Sequence, residues 1–291
     1  MCKPFVKWAG GKSQLLNEIR LKYPANIEKY CEPFVGGGAV LFDILDKYEP
    51  KQVLINDINS ELINTYIQIR DNVDELTSIL NKYQKKYDGI SEDLRQDIYI
   101  KKRQEFNSLI VKCDKCNLTK KAALFIFLNK TCFNGLYRVN SEGFYNVPKG
   151  NYKNPMICDE ESLNHISKLL KKVKIKCGDF EECEKFIDNK TFVYIDPPYR
   201  PLTSSAMFTS YSKEQFDDNE QIRLGEFINR INKTGAKIVL SNSDPKNVDT
   251  NDNFFDNLYK NYSITRINAK RMINSNATKR GNITELLVAN Y

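Results

Sequence analysis

Histidine is almost missing from this chain: His165 stands alone among 291 residues. A histidine relay or a histidine-rich metal centre therefore lacks its supporting residues, and the setting Leu163, Ile166, Leu169, Leu170 makes His165 an ordinary helical position. Cysteine is sparse as well. Eight thiols in a chain this long, with no export pattern, read as reduced side chains of a cytoplasmic protein rather than as a disulfide framework. Only Cys113 and Cys116 have metal-ligand spacing, so no metal is expected. Long apolar runs are missing too. The longest, Ala122–Leu128, falls well short of the roughly 20 residues of a membrane helix, and Lys3 and Lys7 interrupt any signal-peptide core. No membrane span, repeat, low-complexity linker or obligate protein partner is expected.

What is present is charge and a patterned core. The formal net charge is +7, and residues 80–176 alone carry 20 Lys plus Arg against 10 Asp plus Glu. Such a block attracts a polyanion and releases its counterions; it also suits solvated lysine-rich helix faces, and charge alone does not choose.

Tyr30–Phe34 reads as a strand, followed by Gly36, Gly37 and Gly38 and by a helical stripe over Ala39–Tyr48. Gln52–Asn56 is again strand-like and ends at Asp57. Strand, glycine turn, helix, strand and acid together predict parallel pairing, with the turn and the acid at one carboxyl edge of a sheet. The pattern resumes at Val173–Cys177 before Gly178 and Asp179, at Phe192–Ile195 before Asp196, and at Lys237–Leu240 before Ser241. Ile264–Ile267 and Thr284–Ala289 read as closing strands that could pair as an edge hairpin. Between these parts the text is mainly helical and basic, then irregular over 134–155. One α/β sheet domain, residues 1–59 and 168–291, is predicted to carry a mainly helical insertion, residues 60–167.

The glycine segment admits two readings. Gly36 and Gly38 match the start of G-x-G-x-x-G, but Leu41 takes the third position, which weakens a dinucleotide site. A close-approach turn with an acid about 20 residues on suits any adenosine ligand whose ribose hydroxyls need an acceptor; Asp57 is that acid, or else a helix N-terminal carboxylate. Gly10-Gly11-Lys12-Ser13 looks like half a phosphate loop. Val6 stands where its first glycine belongs, however, and Ser13 reads as the N-cap of a helix through Leu15, Leu16 and Ile19.

The most specific local signal is Asp196-Pro197-Pro198-Tyr199 after a strand. The prolines hold the chain extended, so Asp196 and the Pro197 carbonyl can accept both protons of a planar amine while Tyr199 offers a stacking ring. A plain proline turn with a core tyrosine is the alternative. In the insertion, Phe133-Asn134-Gly135-Leu136-Tyr137-Arg138 and Phe144-Tyr145-Asn146-Val147-Pro148 join a glycine turn to amides, aromatics and an arginine, the tools of base-edge contact and stacking. A surface hairpin would use the same residues.

Taken together, Phe5–Lys12 (FVKWAGGK), Glu32–Gly38 (EPFVGGG), the insertion with Asn134–Arg138, and Asp196–Tyr199 resemble, in that order, the Dam-type (D12 class, alpha-group) DNA adenine-N6 methyltransferases over nearly the whole chain. The resemblance implies a Rossmann-like S-adenosylmethionine-dependent methyltransferase sheet with an inserted DNA-recognition domain. It implies S-adenosylmethionine as methyl donor, no metal, and double-stranded DNA as partner. Trp8, Lys12, Phe34, Gly36, Asp57, Asp179, Phe180 and Asp196 become cofactor contacts, with Lys12 on the methionine carboxylate and Asp57 on the ribose. Asp196, Pro197, Pro198 and Tyr199 become the catalytic set. Recognition of GATC or a close relative falls to Lys7 and Arg138 on guanines, Phe133 or Asn134 in the gap left by a flipped base, and Pro148 and Tyr152 on outer bases, with Leu136 and Asn140 in the same stretch. Tyr211 and Thr203–Ser212 would order over the substrate. The expected enzyme is a cytoplasmic, bacterial or phage-encoded site-specific adenine methyltransferase. Its rivals are an RNA or protein-amide methyltransferase and a catalytically inactive DNA-binding protein.

Overall fold

The computed structural model describes residues 2–111, 117–200, 216–270 and 282–291. Cys113, Cys116, Tyr211 and the stretch Thr203–Ser212 lie outside them. In chain order the elements are α1 (Leu16–Arg20), β1 (Lys29–Glu32), α2 (Ala39–Tyr48), β2 (Gln52–Asp57), α3 (Ser60–Asp71), α4 (Val73–Tyr87), α5 (Glu92–Val111), α6 (Leu118–Thr131), α7 (Glu160–Leu170), β3 (Val173–Cys177), β4 (Thr191–Ile195), α8 (Asp218–Asn232), β5 (Lys237–Ser243), α9 (Phe254–Leu258), β6 (Ser263–Lys270) and β7 (Asn282–Ala289). The fold is α/β and Rossmann-like, built on one seven-stranded sheet of order β3-β2-β1-β4-β5-β7-β6.

Strands β1 to β5 run parallel, and β7 enters antiparallel between β5 and the outermost strand β6. The expected closing hairpin is thus present, with its second strand inside and its first at the edge. Alternate residues of the central strands sort to two faces, as the period of 2 requires. Tyr30, Val53, Ile55, Phe192, Tyr194 and Val239 pack on the face that meets α2, α3 and α7. Cys31, Leu54, Val193, Ile195, Ile238 and Leu240 pack on the opposite face, against Leu224, Phe227, Ile228 and Ile231 of α8.

The longest apolar run of the chain becomes α6, in which every residue from Ala122 to Asn129 is buried. A helix apolar around its circumference belongs in the centre of a bundle, and α6 packs against α3, α4 and α5. The same apolar cluster runs from this bundle into the sheet without a break. Helix α3 touches both β2 and β3, where Arg70 donates to the Val173 carbonyl at 3.1 Å, while α7 lies on α2, α3 and α4.

Ser13 does not cap a helix. Lys12–Gln14 forms a 3-10 turn whose Lys12 carbonyl accepts from Leu15 N at 2.9 Å, and α1 starts only at Leu16 without a side-chain cap. His165 is exposed and meets Asp46 at 3.1 Å. Among the described residues no helix is long and apolar enough to cross a membrane, and no group of three His, Cys, Asp or Glu side chains could hold a metal ion.

Candidate active site

Parallel strands deliver their following loops to one edge, and the described site grows from the ends of β1, β2, β3 and β4. After β1 the chain turns through Gly36 at φ 47 and Gly38 at φ 76, backbone values that a side chain strains. Space forbids a side chain as well. A Cβ on Gly36 would lie 2.8 Å from the Trp8 ring, and one on Gly38 would lie 2.4 Å from the Tyr66 hydroxyl. That hydroxyl donates to the Gly36 carbonyl at 3.0 Å.

Asp57, at the end of β2, locks the same turn. Its carboxylate accepts from Gly36 N at 3.0 Å and from Asn59 N at 2.9 Å, one bond on each oxygen. Asn59, not Asp57, caps α3 by accepting from Glu61 N and Leu62 N. Each carboxylate oxygen retains an acceptor site for a hydroxyl. Next to Asp57, Asn56 donates to the carbonyls of Pro33 and Gly178, while its own buried Oδ1 has no hydrogen-bond partner among the described residues. The backbone cradle that no Cβ may enter, the acid behind it and this unpartnered polar atom fit a small polar cofactor of the adenosine type. Burial raises the carboxyl of Asp57 above its ordinary range, an effect that the backbone donors of Asn59, Gly36 and Ile58 oppose without cancelling.

The four residues after β4 form the second half. Asp196 is half-buried, Pro197 is buried and Pro198 is exposed. Asp196 Oδ1 accepts from Lys12 Nζ at 2.8 Å and from Ser241 Oγ at 3.1 Å. No described residue donates to Oδ2. Lys12 is almost completely buried, and its ammonium also lies 4.7 Å from the centre of the Tyr199 ring. Tyr199 donates to Glu285 Oε2 at 2.5 Å, and Gln221 donates to the Pro198 carbonyl at 3.1 Å. Burial is the main cause that raises the Asp196 carboxyl above the ordinary range; Lys12 works against it, and Glu285 adds to it. Burial with Asp196 and Glu285 nearby lifts the Tyr199 phenol far up, so it stays neutral.

Phe34 and the buried Phe180 pack ring to ring, 5.3 Å between centres, with Arg223 4.2 Å above Phe180. Asp179 is tied to Arg223 by two hydrogen bonds, of 3.0 and 2.7 Å, and the guanidinium holds its carboxyl below the ordinary range.

Of the residues expected to read DNA, Tyr152 and the turn at Phe133–Gly135 lie against Lys7 of the amino-terminal segment. Lys7 is exposed, with Nζ 4.1 Å above the Tyr152 ring. Trp8 stacks on Tyr137 with 6.0 Å between ring centres and covers the Gly36–Gly37 backbone, which links the insertion to the glycine turn. Phe133 and Asn134 are exposed, Asn134 at φ 56, and Phe133 N donates to the Pro148 carbonyl. Arg138 is exposed and donates to Asn146 Oδ1 at 2.8 Å. Leu136 is half-buried, and Asn140 Oδ1 accepts from Glu142 N and Phe144 N, which shapes the hairpin tip.

Several residues of the site have no local signature. Ser241 is the exception, because β5 lies beside β4 and the pairing Ile195↔Leu240 puts Ser241 level with Asp196. Tyr66, Gln221, Arg223 and Glu285 reach the edge from elements distant in sequence.

Comparison with known proteins gives the family. Residues 8–273 match the family model described as D12 class N6 adenine-specific DNA methyltransferase. The chain is 50% identical over 295 residues to the type II methyltransferase M.MjaIII of Methanocaldococcus jannaschii, covering 99% of each chain. It is 38% identical to the type II methyltransferase M1.LlaDCHI of Lactococcus lactis subsp. cremoris over 99% of this chain and 95% of the other. It is 32% identical to the DNA adenine methylase of Haemophilus influenzae over 98% of this chain and 92% of the other. An adenine-specific DNA methyltransferase of this family implies DNA as substrate and S-adenosylmethionine as donor. The chain belongs to the D12 class N6 adenine-specific DNA methyltransferases.

Proposed function

We propose that this enzyme methylates N6 of an adenine flipped out of double-stranded DNA, within GATC or a close relative, in the cytoplasm of its host. The observation that carries the reading is the division of labour on Asp196. One oxygen is occupied by Lys12 and Ser241, and the other has no described donor, at the end of a strand and next to an extended proline pair.

The exocyclic nitrogen of adenine is a poor nucleophile because its lone pair is delocalised into the ring. Acceptors that hold its N–H protons favour a more tetrahedral nitrogen and return the pair to it. Asp196 Oδ2 and the Pro197 carbonyl take those positions, and Tyr199 supplies a stacking ring. Lys12 favours the ionised carboxylate and holds it in place, and Ser241, itself hydrogen-bonded to Tyr194 at 2.8 Å, supports it from behind. S-adenosylmethionine, held by Trp8, Phe34, Gly36, Asp57, Asp179 and Phe180 and bordered by Lys12 and Asp196, would supply an electrophilic methyl carbon. The base must leave the stack to reach this corner, at an unpairing cost of a few kcal/mol that stacking and recognition contacts offset. Orientation of the nitrogen then contributes much of the rate.

Residues 1–59 and 168–291 form the catalytic part and residues 60–167 the target-recognition part, with α3 and α7 serving both. Lys7, Phe133, Asn134, Leu136, Arg138, Asn140, Pro148 and Tyr152 make the reading surface, a role supported by the exposure of Lys7, Phe133, Asn134, Arg138 and Pro148. Tritiated-methyl transfer onto duplexes with and without GATC, with RNA and protein acceptors alongside, tests the assignment. Label in N6-methyladenine of the GATC duplex is expected. Label only in RNA or protein, or none, would contradict it.

A further inference from the structure

We infer that Asn129 is a positioning residue for sequence recognition, which ties Lys7 to the Phe133–Gly135 turn so that the two approach DNA as one rigid reader. The inference rests on the reading of Lys7 and the turn as DNA contacts.

Asn129 lies near the end of α6 and is 3% exposed. Its amide oxygen accepts from Lys7 N at 2.8 Å, and its amide nitrogen donates to the Lys7 carbonyl at 2.8 Å and to the Gly135 carbonyl at 2.9 Å. Both donor hydrogens and one acceptor position are thereby used. The pair of hydrogen bonds to Lys7 fixes the lysine backbone as a neighbouring strand would, although Lys7 belongs to no strand. The third bond fixes the turn whose Asn134 and Gly135 both stand at positive φ.

Packing closes the same junction. A Cβ on Gly135 would lie 2.5 Å from Lys7 Cβ, so the lysine stem runs directly against the turn backbone. The far end of that stem rests on the Tyr152 ring at 4.1 Å. Tyr152 is fixed in turn, since a Cβ on Gly150 would meet its ring at 2.7 Å and the Cys132 carbonyl at 2.7 Å. A flexible lysine loses rotamer freedom when it binds a base, and a stem already held loses less. An amide needed only for packing could be satisfied by its own helix. This one bonds two exposed reading segments that lie 122 and 6 residues away in sequence.

The test is methyl transfer to the preferred duplex and to its single-base variants by wild type, Asn129→Asp, Lys7→Ala and the double variant. Asn129→Asp keeps the shape and the acceptor but turns a carboxylate toward two carbonyls. Its discrimination, as the ratio of kcat/KM values, should fall about tenfold at one base position, the position lost in Lys7→Ala, and the double variant should lose no more. Discrimination elsewhere and S-adenosylmethionine binding should stay within about twofold. A uniform loss on all duplexes, unchanged discrimination, or multiplicative losses in the double variant would overturn the inference. If Asn129→Asp does not fold, Gly135→Ala pushes the same lysine stem from the turn side and should relax the same position; failure to do so would overturn it equally. A wild type that shows no sequence discrimination would sink the underlying reading, and the inference with it.

Discussion

Lys12 reaches Asp196 from the amino-terminal segment and closes an ion pair of 2.8 Å, with Tyr199 stacked 4.7 Å from the same ammonium. The pair joins the segment that crosses the glycine turn to the motif that follows β4. It also leaves Asp196 with one occupied and one available oxygen. Lys12, expected on sequence grounds to serve the cofactor, therefore borders both halves of the site.

This pairing fixes a pH dependence. In the proposed role Asp196 is the stronger acceptor when ionised, and burial holds its carboxyl above the ordinary range despite Lys12. Activity should therefore fall as pH drops through that raised value, earlier than for an exposed carboxylate. Lys12→Met removes the opposing cation and should move the acid limb of kcat/KM to still higher pH. A limb that stays in place or moves downward would count against the pair.

Gly38→Ala should disable the cofactor turn. It strains a left-handed position at about 1–3 kcal/mol and drives a methyl to within 2.4 Å of the Tyr66 hydroxyl that holds Gly36. Weaker S-adenosylmethionine binding by calorimetry and a lower Tm are expected. Unchanged binding would mean that the turn does not face the cofactor.

Arg138→Ala should cost about 1–3 kcal/mol in recognition and relax choice at a guanine position. The guanidinium is exposed and, among the described residues, is held by Asn146 alone, which leaves donor groups for a base. Rates across single-base variants provide the check, and unchanged ratios would remove Arg138 from the reading surface.

Much of the sheet is legible in the sequence because central parallel strands are buried on both faces and therefore read as short unbroken apolar runs. Phe192–Ile195 lies within β4, every residue of which is buried; the edge strand Val173–Cys177, with its alternating pattern, and the helix Ala39–Tyr48 match their elements residue for residue for a different reason, their period. Asp57, Gly36 and the residues after β4 stand out in the sequence as candidates because each ends a strand or follows one. The placement of β7 inside β6 is not, since pairing order between antiparallel strands leaves no mark on either strand alone. Ser13 misleads because capping preference is local, whereas the 3-10 turn at Lys12–Gln14 delivers Lys12 to a distant carboxylate. Glu285 and Asn129 act through partners remote in sequence, and periodicity reports faces, not partners.

The central claim is that Asp196 supplies the acceptor for the adenine amine, and single-turnover methyl transfer by Asp196→Ala on a GATC duplex measures it most directly. The account predicts loss of N6-methyladenine formation by about a thousandfold or more, in a folded protein that still binds DNA. Turnover near that of the wild type would contradict it.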